Sequence, residues 1–188
     1  LEYGRSEEEA NSLTALNSQF YRECCDMELF EFNEQDFQLI KKASKVYAIG
    51  EYIELDSASQ HTFYLLANQS IAGMNHADRV KLALLASYKN RDYFNRFAAP
   101  FEAWYSKEEL KKLRDFGALL KFIYALNVSK RHVVSKIALE HEGENLRLEV
   151  TTKERAIAEA YQVERQKKHV ERVFKKTLNI VFKAEGWS

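Results

Sequence analysis

Residues 133–150 read VVSKIALEHEGENLRLEV, and the period of this stretch decides the fold. Val133, Ser135, Ile137 and Leu139 alternate with Val134, Lys136, Ala138 and Glu140. Leu146, Leu148 and Val150 alternate with Arg147 and Glu149. A period of two marks half-buried strands. Glu142-Gly143-Glu144-Asn145 between them is a hairpin turn signal. Beyond it, Ala156, Ala160, Val163, Val170 and Phe174 return to helical spacing, predicting a helix from Lys153 to Lys175. Leu178, Ile180 and Phe182 then predict a short strand, so the tail reads β-β-α-β.

Upstream of this change of period the chain reads as helix throughout. Only 6 Gly and 1 Pro occur in 188 residues, which leaves few breaks. Ser6-Glu7-Glu8-Glu9 is a capping box, followed by Ala10, Leu13, Leu16, Phe20 and Cys24 at helical spacing. A second helix is predicted from Glu34 to Ile53, with Phe37, Ile40, Ala43 and Tyr47 inward and Gly50 permitting a close approach or an early end. Leu55 to Ser59 reads as a polar break, and a third helix starts near Gln60. Ile71-Ala72-Gly73-Met74 reads as a turn, and Asn75 caps a helix running to Tyr88. Lys89 to Tyr105, with Pro100, reads as irregular. Ser106 with Glu109 opens a long helix to Val128. The expected fold is mainly α: a helical domain over 1–130 and a small α/β domain over 131–188.

The composition excludes several classes. A hydrophobic fraction of 46% is too high for a disordered tail. No apolar run reaches the roughly 20 residues a bilayer demands, so no membrane is expected. Leu1-Glu2-Tyr3-Gly4-Arg5 lacks Met and a signal-peptide pattern, as in an excised fragment or a processed chain. Adjacent Cys24 and Cys25 cannot form a disulfide framework and read as reduced thiols, which favours the cytoplasm. Net charge is +0, but residues 1–60 carry 5 basic and 13 acidic residues (−8) and residues 61–188 carry 23 and 15 (+8). A positive surface on the second part is therefore compatible with the neutral total.

Local catalytic motifs are absent from the sequence. None of His61, His76, His132, His141 and His169 forms an i, i+4 pair, and there is no CxxC, GxGxxG, Walker A or GxSxG string. The basic residues carry more information. From His76 to Lys136 there are 13 basic and 6 acidic residues. Lys89, Arg91 and Arg96 stand beside Tyr88, Tyr93 and Phe94, and Lys130 and Arg131 follow the long helix. Such groups bind phosphate oxygens without a catalytic role, and the competing reading is an ordinary solvated surface. Arg165-Gln166-Lys167-Lys168 reads as a solvent face.

Several strings, in order, resemble the C-terminal region of the Ppx/GppA family of exopolyphosphatases and guanosine pentaphosphate phosphohydrolases. They are Ala48-Ile49-Gly50-Glu51-Tyr52-Ile53, Gln60-His61-Thr62-Phe63-Tyr64-Leu65-Leu66, Leu84-Leu85-Ala86-Ser87-Tyr88-Lys89 and Tyr124-Ala125-Leu126-Asn127-Val128-Ser129-Lys130. The resemblance runs from about residue 35 to 182. It implies an HD-domain-like helical module followed by the small α/β unit. It also implies upstream actin-like catalytic domains that carry the Mg²⁺-assisted phosphatase chemistry, and no cofactor in this region. An HD-type metal site would need clustered His and Asp. Tyr47-Ala48 stands where the His-Asp pair is expected, Tyr124 at the later Asp, Lys89 at a His, and Asn17 near the first His. His61 alone cannot hold a metal pair, so no catalytic or metal residue is expected. The resemblance thus predicts an accessory region that binds polyphosphate through Lys89, Arg91, Arg96, Lys130 and Arg131 and builds a homodimer, with no nucleic acid as partner. The alternatives are a purely structural dimerisation module, a guanosine pentaphosphate phosphohydrolase region and, more remotely, a surviving HD hydrolase.

Overall fold

The structure, a computed structural model, describes residues 5–52 and 56–186. Within them the chain is mainly helical with a three-stranded sheet near its C-terminal end, as the sequence predicts. The residues at the expected helix end Ile53 and break start Leu55 lie outside the described segments, as do Leu1 to Gly4.

Side-chain caps open several of the helices, whereas the helix at Ile157–Phe174 has none and begins four residues after the expected start. Ser6 caps α1 (Glu7–Asp26) by accepting from the Glu9 amide at 3.0 Å. Asn33 and Asp36 form a reciprocal capping box on α2 (Glu34–Val46). This helix is shorter than expected: Tyr47 is extended and Ala48 adopts a positive φ of 54°. A 3-10 turn follows at Ile49–Tyr52. Gly50 is a close approach, because a Cβ there would lie 2.3 Å from the Ala58 carbonyl oxygen. Next come α3 (Ala58–Asn68) and α4 (His76–Ala86), the latter capped by Asn75.

The segment expected to be irregular is helical. Asn90 caps α5 (Arg91–Ala98), which buries Phe94 and Ala98 one turn apart. Pro100 starts a 3-10 turn at Ala99–Trp104, where its missing amide costs nothing. The capping box at Ser106 and Glu109 opens α6 (Lys107–Ala125).

The tail is β1 (Val134–Glu142), β2 (Asn145–Thr152), α7 (Ile157–Phe174) and β3 (Leu178–Ala184). The hairpin pairs β1 and β2 antiparallel, and β3 joins β2 in parallel, giving the order β1-β2-β3. Gly143 supplies the positive φ (64°) of the hairpin turn. α7 is the crossover and packs on α6. Ile137, Leu148 and Val150 of the sheet share one buried cluster with Phe20, Ile40 and Phe122 of the helices. The expected boundary at residue 130 falls in the loop after α6, where Lys130 and His132 adopt positive φ. Glu159, wholly buried on α7, holds this loop by accepting from the Ser129 amide at 3.0 Å and from its hydroxyl. No described helix is long and apolar enough to cross a membrane.

Candidate anion-binding cleft

The basic residues separate into two groups. Lys130 is ion-paired with Glu51 (3.6 Å), and Arg131 with Glu154 (3.5 Å). Arg131 also donates to the Arg155 carbonyl at 3.2 Å. Both cations thus already have carboxylate partners. Arg96 and Lys89 lie 5.0 and 4.9 Å from the ring centre of Tyr93. Of the five candidates, Lys89 and Arg91 line a cleft between the start of α5 and the α6 and α7 pair. Lys130, Arg131 and Arg96 do not line it.

The cleft consists of two hollows of about 170 and 360 Å³ that share Tyr88, Arg91 and Arg172. Lys111, Arg114 and Lys121 enter it from α6. His169 and Arg172 enter from α7, and Lys175 from just beyond its end. The one carboxylate in the larger hollow, Asp115, pairs with Lys111 at 3.1 Å. Tyr88 forms the shared wall and is held against the backbone of Gly117, where a Cβ would lie 2.4 Å from its ring. Burial raises the Tyr88 phenol above its ordinary value, with the nearby Arg172 opposing that shift.

Burial first, and neighbouring cations second, disfavour the charged forms of two of its members. Burial lowers the Lys121 ammonium below its usual range, and Lys89, Lys168 and Arg165 lower it further. The ammonium donates to the Lys89 carbonyl at 2.6 Å, which brings the two lysines together. His169 is lowered by burial and then by Lys121, Arg172 and Lys168. Like charges converging at a half-buried place are relieved by an anion. Arg165 and Lys168 are exposed and line neither hollow, in keeping with the solvent face expected for them. The missed residues carry a signal in their spacing. Lys111, Arg114 and Lys121 form one stripe of α6, and His169 and Arg172 lie one turn apart on α7.

A third hollow of about 220 Å³ shares Tyr88, Lys89 and Lys121 with the cleft and is lined also by Tyr47, Glu51 and Tyr124. Of the positions that the resemblance aligned with HD-type ligands, Tyr47, Ala48, Lys89 and Tyr124 line this hollow and Asn17 does not. The rings of Tyr47 and Tyr124 are 5.0 Å apart. Tyr124 donates to Glu51 at 2.6 Å and Tyr47 to the Tyr88 carbonyl at 2.6 Å. Burial drives both phenols well above their ordinary range, so they stay neutral. Neutral phenols, two lysines (Lys89 and Lys121) and two carboxylates (Glu51, ion-paired with Lys130, and Asp56), with no histidine in the lining, do not fit a pair of divalent cations. His61 sits in the first turn of α3 and does not line this hollow. Asn17 lies buried on α1, donating to the Leu13 carbonyl.

A family model described as Ppx/GppA phosphatase, domain III, matches residues 6–167, from the cap of α1 into α7. No curated protein matches the chain. The match covers most of the sequence, and the chain belongs to the Ppx/GppA phosphatase family, of which it carries domain III.

Proposed function

We propose that this chain is an accessory, non-catalytic region of an exopolyphosphatase-like enzyme. In this reading 1–130 is an HD-like module that has lost its metal site, and 131–188 is a small α/β unit. The region binds polyphosphate and contributes to a homodimer. Mg²⁺ and phosphoanhydride hydrolysis belong to the upstream actin-like domains of the parent enzyme. The observation that carries the binding role is the convergence of Lys89, Arg91, Arg114, Lys121, Arg172 and Lys175 on one cleft against two carboxylates, Asp92 and Asp115, the latter already paired to Lys111. A linear polyanion gains from many such contacts at once, and its affinity falls steeply with salt. Guanosine pentaphosphate is the alternative ligand of the parent.

Titration of the chain with long-chain polyphosphate, guanosine pentaphosphate and orthophosphate at low salt tests this. The expected order is tight, weaker and negligible binding. Equal affinity for guanosine pentaphosphate and the long chain favours the alternative, and absence of binding to either refutes the reading.

A further inference from the structure

The two edges of the sheet are treated differently. In β1 the pairs Glu140 with Arg147 and Ala138 with Glu149 turn even-numbered amides toward β2, so Ile137 and Leu139 face outward. α1 meets both: the Gln19 side chain donates to the Ile137 carbonyl, and the Leu139 amide donates to Glu23 at 2.8 Å. α1 thus covers the middle of that edge, where Ile137 and Leu139 are buried.

β3 is the other edge. The Leu146 amide donates to Thr177 O at 2.9 Å, and the Glu185 amide donates to Thr152 O at 2.8 Å. Odd-numbered residues of this strand therefore face β2, and the amides of Leu178, Ile180, Phe182 and Ala184 face away. The Leu178 amide is taken by the Glu171 carboxylate at 2.9 Å. Among the described residues nothing meets the amides of Ile180, Phe182 and Ala184. Ile180-Val181-Phe182 is half-buried and apolar, and the strand has neither a proline nor an inward charge to block pairing. Its one charge, Lys183, is held by Glu149.

We propose that β3 pairs antiparallel with β3 of a second copy of this chain, continuing the sheet across a two-fold axis. The inference rests on the self-association part of the reading above and is independent of the polyanion part. One open edge per chain closes with a second copy and stops, whereas two open edges would build a fibre. Outward amides must face outward amides, which restricts the register. With Val181 on the axis only Ile180 and Phe182 pair without drawing on Leu178, and with Lys183 on the axis the two Lys183 side chains stand opposite one another. With Ile180 on the axis, Leu178 would have to give up its bond to Glu171. With Ala184 on the axis, the ladder runs off the end of the strand. With Phe182 on the axis, Ile180 faces Ala184 of the second copy, and Val181 faces Lys183 of the second copy on the outer surface. No like charges then stand opposite one another.

Sedimentation of the 188-residue chain from low to high micromolar concentration tests the inference. Ala184→Pro removes an outward amide without touching the β2 ladder and is expected to give a monomer with an unchanged melting temperature. Val181→Lys places like charges opposite one another twice across the axis and weakens the dimer about tenfold, while Val181→Glu meets Lys183 and does not. The two Val181 variants decide the matter if Ala184→Pro fails to fold. A chain monomeric at every concentration overturns self-association as a whole. A dimer that survives Ala184→Pro overturns this edge alone, and equal effects of Val181→Lys and Val181→Glu overturn the register. Polyphosphate titration of the monomeric variant reads the cleft separately.

Discussion

Replacing Lys89, Lys121 and Arg172 together by Ala removes three of the cleft's cations and leaves Arg91, Arg114 and Lys175, with Lys111 spent on Asp115. Each neutralised phosphate of a single-stranded polyanion adds about 0.7 to the slope of log affinity against log salt. Six contacts give a slope of about −4, so going from about 50 to 200 mM salt costs the unmodified chain roughly 300-fold in polyphosphate affinity. Three contacts give about −2 and a loss of roughly 20-fold over the same range. At the lower salt the triple variant should already bind roughly a hundredfold more weakly, at about 1 kcal/mol per contact. Lys130→Ala with Arg131→Ala is the matched comparison, because Glu51 and Glu154 already neutralise those cations. Its slope should equal that of the unmodified chain. The assay is fluorescence anisotropy of end-labelled polyphosphate across a salt series. An unchanged slope in the triple variant, or an equal loss in the Lys130 and Arg131 variant, refutes the assignment of the cleft.

Gly117→Ala would ordinarily stabilise a helix interior by about 1 kcal/mol. Here the new Cβ meets the Tyr88 ring at 2.4 Å, so a net loss of about 1–3 kcal/mol is expected in urea unfolding, together with weaker polyphosphate binding as Tyr88 shifts. Glu159→Ala strips the Ser129 amide of its acceptor and should lower stability by about 1–3 kcal/mol in the same assay, with the loop at 129–132 losing amide-exchange protection first. His169 is held below its usual value, so its contribution to stability is lost as pH falls from above 6.5 through the depressed folded value. A bound polyanion favours the protonated ring, so polyphosphate affinity should rise over that pH range, and the rise should shrink in His169→Ala.

The elements were legible in the sequence wherever a local device announces them. Ser6, Asn75 and Ser106 start helices where their side chains predict, and the alternation around Gly143 gives the hairpin. α5 was not legible, because Pro100 and a dense run of aromatic residues resemble a loop, while burial of Phe94 and Ala98 decides for helix. The cleft was half legible. Lys89 and Arg91 sit beside Tyr88 in sequence, but Lys121 and Arg172 reach them only through the packing of α7 on α6. The pairing of Lys130 with Glu51 and of Arg131 with Glu154 also spans stretches that a local charge count does not see. Tyr47 and Tyr124 were singled out by the strings, and their direct ring contact required the tertiary fold.

The bonds from Gln19 and Glu23 to β1 close loops of 118 and 116 residues. Contacts of such separation form late, since chain closure must precede their reward. During synthesis α1 leaves the ribosome with part of its polar surface still awaiting acceptors and donors, and β1 arrives only after the whole helical segment has been made. Without α1 the sheet would have two unguarded edges instead of one. The first helix is thus the chaperone of the last sheet, and a chain shortened from its N-terminal end should aggregate through β1 even where its remaining helices fold.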